Sequence, residues 1–194
     1  MWKSFFTIVV IVFVFSSPRP VFGQQAECEK KILQDFKAEE VLRGPEYEIL
    51  LTVATAFGFG RGSVPRLYFI PGDGNAAYIV GSVISDGRGK ILMSLAFAKF
   101  IGNTSALKGV LAHEVAHSVL DKGEAGCNDW ITLDIEIEKA ADVLAASKVG
   151  FDAVRDSLLK EIELRGGSVG WEIALRLQHL QAVEELEVQE DRQR

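Results

Sequence analysis

Apolar positions recur along this chain at spacings of three and four in some stretches and of two in others, which divides it into helices and strands. Ile32, Leu33, Phe36, Val41 and Leu42 keep helical spacing across residues 27–43, and a second helix is predicted over 45–57. Gly58-Phe59-Gly60-Arg61-Gly62 then interrupts the pattern. Residues 66–70 read as a short strand after Pro65, and 76–84 with 90–94 as a hairpin around Asp86-Gly87-Arg88-Gly89, with period-two character and β-branched residues. The turn Pro71-Gly72-Asp73-Gly74 lacks the Lys and Ser/Thr that a phosphate loop needs, so it serves to shape the entry to the following strand. A short helix at 97–101 precedes a mostly buried one at 105–120 built on apolar runs, with Ser105 as N-cap. Further helical patterns run over 131–146, 151–165 and, past Gly166-Gly167, 171–188. The expected fold is α+β, mostly helical, with a small sheet beside the helix at 105–120.

That apolar helix contains His113-Glu114-Val115-Ala116-His117, and two of the chain's three histidines are in it. Residues four apart stand one above the other on a helix, so both imidazoles point at one spot while Glu114 flanks it. Two imidazoles and a carboxylate inside such a helix are costly unless paired or metal-bound. The H-E-x-x-H arrangement is the one by which a helix holds a zinc ion and supplies a general base. The bland alternative is a pair of core histidines satisfied by hydrogen bonds.

A catalytic zinc of this kind takes three protein ligands and leaves a fourth position open. Leu120 and Gly123 stand where a metzincin would continue with Gly and His, which excludes that class. Downstream, Glu138 and Asp142 lie four apart on the helical pattern at 131–146 and so face the same way. Glu124, Asp129, Asp134 and Glu136 are the other acids between His117 and Glu138, and Asp134, about one turn before Glu138, is its nearest rival.

His113-Glu114-x-x-His117 followed by Glu138-x-x-Ala141-Asp142 resembles the gluzincin signature, in the form carried by the CAAX prenyl protease and HtpX heat-shock protease family. The similarity spans residues 66–149 and implies a zincin-like domain with one zinc ion held by His113, His117 and Glu138. It implies Glu114 as general base, and Asp142 as acceptor for the outer N–H of His113, fixing that ring's tautomer. Gly74-Asn75-Ala76-Ala77-Tyr78 is similar to the family's strand before the active helix, which places Asn75, Ala76, Ala77 and Tyr78 in contact with an extended polypeptide substrate. Arg176 and Leu180 resemble the family's Arg-containing helix, although the His-Pro that precedes it there is absent here. Arg176, His179 and Tyr78 are the candidate donors to the oxyanion of peptide hydrolysis. The family's membrane segments have no counterpart, so prenylated substrates are not implied.

Composition frames this site. At 194 residues and 48% hydrophobic, the chain suits one domain with a sizeable core. Lys3, the apolar run at 5–15 and the small residues Val21 and Gly23 read as a secretory signal peptide over 1–23, leaving 24–194 as a single metallopeptidase-like domain; an uncleaved N-terminal anchor is the alternative. The expected location is therefore secreted or periplasmic. In that oxidising setting Cys28 and Cys127 are expected to pair, which would stabilise the fold by about 4 kcal/mol through loop closure. Two free thiols, or Cys127 as a zinc ligand, are the competing readings. The formal charge of −6 becomes more negative once Lys3 and Arg19 are removed, and an acidic chain without a basic cluster argues against nucleic acid and anionic lipid as partners. The expectation is an exported zinc metalloendopeptidase with a polypeptide substrate and no stable membrane span after signal cleavage. Set against it are a zinc-containing polypeptide-binding or chaperone-like module and a structural protein with a fortuitous motif.

Overall fold

The computed structural model describes residues 22–71, 77–80, 89–102, 104–120 and 134–193. Its elements in chain order are α1 (Phe22–Asp35), β1 (Glu39–Glu40), α2 (Pro45–Ala56), β2 (Arg66–Ile70), β3 (Ala77–Val80), β4 (Lys90–Ser94), α3 (Leu95–Ile101), α4 (Ser105–Leu120), α5 (Ile135–Val149), α6 (Phe151–Leu164) and α7 (Trp171–Gln193). The fold is α+β and mostly helical, with one small sheet. Among the described residues no helix is long and apolar enough to cross a membrane.

The sheet has the order β1-β2-β4-β3. β3 and β4 pair antiparallel, as a hairpin requires, with Ala77 opposite Met93 and Tyr78 opposite Leu92. β2 then joins the other side of β4 in parallel, with Leu67 opposite Ile91. The short β1, absent from the sequence expectation, adds antiparallel to β2 through Glu39 and Glu40. Alternation along the strands explains the layering. Leu67, Ile91 and Met93 join the main helical core, whereas Tyr68, Ile70 and Leu92 turn to the opposite face and meet Ile32, Leu33 and Ala38 of α1 and its exit. With both faces covered, every residue of β4 is buried.

The chain leaves β4 directly into α3, because Ser94 caps that helix by accepting a hydrogen bond from the Phe97 amide at 3.0 Å. α4 follows at the centre of the molecule, packed by α2, α3, α5, α6 and β3. Its burial on nearly all sides matches its lack of a polar face. Ser105 is its first helical residue rather than the cap. The Lys108 amide bonds the Thr104 carbonyl at 3.4 Å, so the cap position falls one residue earlier. α5 ends at Gly150, whose φ of 97° turns the chain left-handed and lets α6 fold back against α4. The approach there is close: a Cβ on Gly109 of α4 would lie 2.0 Å from the Ala153 carbonyl oxygen. Arg155 of α6 pairs with Glu184 of α7, and α7 packs along α5.

The expected signal segment lies outside the described residues except for 22 and 23, which open α1. Cys127 also lies outside them, as does the Cys28 side chain, so the disulfide expectation falls there too. The same holds for Asn75, Ala76, Gly123, Glu124 and Asp129.

Candidate metal centre

α4 delivers His113 and His117 to one point because they are one turn apart, and α5 brings Glu138 opposite them. His113 Nε2 lies 3.0 Å from His117 Nε2. Glu138 straddles the pair, with Oε2 3.1 Å from His113 Nε2 and Oε1 3.3 Å from His117 Nε2. These three side chains form a group that could hold a metal ion. An ion bonded to nitrogen and oxygen at ~2.0–2.1 Å in a tetrahedron spaces its ligand atoms about 3.4 Å apart, so the observed separations fit such an ion.

The tautomer of His113 is set from behind. Its Nδ1 lies 2.8 Å from Asp142 Oδ1, and Asp142 is 1% exposed. Arg176 of α7 donates to the same carboxylate from Nε to Oδ2 at 2.7 Å and from Nη2 to Oδ1 at 2.8 Å. An ionised Asp142 can only accept, so the His113 proton sits on Nδ1 and the neutral ring turns the lone pair of Nε2 towards Glu138 and His117. Electron-rich atoms face one another across ~3 Å, an arrangement that is stable only with protons or a cation between them.

The titration directions express this. Burial would push His113 down, but its hydrogen bonds to Asp142 and Glu138 prevail and raise it. Burial would raise Glu138, yet the two imidazoles hold it far below the ordinary carboxylate range. Asp142, resisted by its own burial, is held low by Arg176 and His113. Glu114 moves the other way, because its burial outweighs the pull of the neighbouring imidazoles.

The rival acids that the structure describes have other work. Asp134 caps α5 by accepting from the Glu136 amide at 3.0 Å, and Glu136 pairs on the surface with Lys139. Ala77 and Tyr78 lie in β3, at the edge of the sheet and against α4. Arg176 departs from the sequence expectation of a free oxyanion donor: besides Asp142 it contacts Glu138, with Nη1 3.1 Å from Oε2. Its guanidinium is committed to two carboxylates of the cluster. The signal for this was present in α7, where Arg176 lies one turn after the apolar Ile173 and one turn before Leu180, on the face those two define. His179, half-buried on the same helix, is not among the described contacts of the cluster.

No protein-family model, no curated protein and no solved structure matches the chain.

Proposed function

We propose that the protein is an exported zinc metalloendopeptidase of zincin-like architecture, similar to the gluzincins. The observation that carries this reading is the convergence of His113, His117 and Glu138, with a fourth, buried acid beside them: Glu114 is 6% exposed. A site that only stored or bound a metal has no use for a buried carboxylate one residue from a ligand.

When bound, zinc would polarise a peptide carbonyl and acidify a water molecule. His113, His117 and Glu138 would hold it, and Asp142 keeps the His113 ring oriented. Glu114 is the proton carrier: its carboxylate takes a proton from the attacking water and gives it to the departing amine nitrogen. Burial raises its pKa above that of an ordinary glutamate, which favours holding the proton in transit. β3 offers a sheet edge next to α4, on which an extended polypeptide could add as a further strand. With Arg176 committed elsewhere, Tyr78 and His179 are the chain's donors to test for the oxyanion.

The decisive experiment compares wild type with Glu114→Gln. Glutamine keeps the shape and hydrogen bonding but accepts no proton, so zinc content should be unchanged and hydrolysis of an unstructured polypeptide should fall by on the order of 10² to 10⁴. Equal rates in the two proteins would remove Glu114 as the base. Stoichiometric zinc without hydrolysis by either would favour the polypeptide-binding alternative.

A further inference from the structure

Arg176, like His113, touches both Glu138 and Asp142. It comes from α7, an element that contributes no candidate ligand, and its side chain is 12% exposed, against 17% for Glu138 and 1% for Asp142. Each of its three nitrogens has a carboxylate partner: Nε and Nη2 grip the two oxygens of Asp142, and Nη1 approaches Oε2 of Glu138. Planar guanidinium suits this geometry, since its donors lie in a fixed fork. A donor engaged in this way would have to break charge-assisted bonds before it could serve a reaction intermediate. Oε2 of Glu138 is shared between Arg176 Nη1 and His113 Nε2, at 3.1 Å from each, while Oε1 lies 3.3 Å from His117 Nε2.

We infer that Arg176 is the positioning residue of the metal centre: it fixes Asp142 against Nδ1 of His113 and, through Oε2, holds the Glu138 carboxylate across the two imidazoles. Two of the three candidate ligands are thereby oriented by one side chain from outside the ligand-bearing helices. The inference rests on the metal-centre reading above and not on peptide hydrolysis.

Arg176→Lys keeps the positive charge and removes the fork, which separates orientation from electrostatics. Zinc affinity of the purified chain, measured by competition with a chromophoric chelator, should fall about 10- to 100-fold in this variant, the usual effect of losing an outer partner of a ligand. Affinity equal to wild type would overturn the inference. Because Arg176 acts in part through Asp142, the Arg176→Lys/Asp142→Asn double variant should lose less zinc affinity than the product of the two single losses; losses that multiply independently would also overturn it. If Arg176→Lys does not fold, Arg176→Gln, which keeps a planar group with two N–H donors, is titrated in the same way: a loss of about tenfold or more supports the inference and wild-type affinity overturns it. A wild type that binds no zinc defeats the metal reading itself, whereas a wild type and Lys variant that bind equally defeat only the role of Arg176.

Discussion

Replacing Gly109 by alanine tests whether the metal-bearing helix is held where the site needs it. Gly109 lies one turn before His113, and its added Cβ would meet the Ala153 carbonyl oxygen at 2.0 Å, the Ala153 carbonyl carbon at 2.6 Å and Ser157 Cβ at 3.1 Å. Two of these are backbone atoms of α6 and cannot rotate away. Restoring an ordinary contact of about 3.4 Å requires α4 and α6 to separate by on the order of 1 Å, in an interior packed as densely as an organic crystal. Overpacking of this sort costs about 1–3 kcal/mol, and a clash with backbone belongs at the upper end. Alanine recovers about 1 kcal/mol of helix propensity. The net loss is about 2 kcal/mol, or a melting temperature lower by roughly 4–8 °C for a chain of this size. Thermal unfolding of the zinc-free protein measures it, with Gly62→Ala as control, since a Cβ there meets nothing within 4 Å. A Gly109→Ala protein that melts with wild type or above it would refute the close approach of the two helices.

Two further outcomes bear on the ligand set and its charge. Glu138→Ala should abolish tight zinc binding, while Asp134→Ala should keep one zinc per chain and lose about 1 kcal/mol of stability through the missing cap; the reverse pattern in zinc content would make Asp134 the ligand. The stability conferred by zinc should grow with pH. Glu138 and Asp142, held low, add stability to the zinc-free protein above their unfolded pKa of about 4, and this is lost as pH falls through their folded values. His113, held high, adds stability below about 6.5 that is lost as pH rises through its folded value, and Glu114, also raised, likewise loses its contribution as it ionises. The zinc-free form is therefore most stable on the acidic side of neutrality, while zinc must displace protons from the imidazoles and binds better as pH rises. The gap in melting temperature between zinc-loaded and zinc-free protein should widen from about pH 5.5 to 8, and a gap independent of pH would contradict this.

Local order was legible in the sequence where a single physical cause dominates. The spacing of His113 and His117 and the apolar run around them define α4, and Glu138 and Asp142 share a face because α5 is a helix. The strands at 66–70 and 90–94 were visible in their β-branched and apolar content. Their parallel pairing across the hairpin was not, because it depends on which element covers each face of the sheet. β1 escaped notice for a related reason: two glutamates carry no apolar signal, and they are strand only because β2 offers an unpaired edge. Ser105 and Thr104 are both acceptable caps, and the choice between them turns on where α3 ends.

The partner of Asp142 is the clearest case of a long-range cause. The family resemblance implied Asp142 behind His113, but it left open what would hold an ionised carboxylate at 1% exposure, and the answer came from α7, 34 residues away. Charge balance then explains why the cluster needs more than Arg176. Glu114, Glu138 and Asp142 bring three carboxylates into the interior against one guanidinium, an excess of two negative charges among the described residues. An uncompensated buried charge is prohibitively costly, so the site must recruit positive charge or protons. The upward shifts of His113 and Glu114 show how the metal-free protein answers, since both groups are driven towards holding a proton. Two protons and one divalent cation carry the same charge. The excess negative charge that draws protons onto His113 and Glu114 is thus the same charge that would favour a divalent ion held by His113, His117 and Glu138.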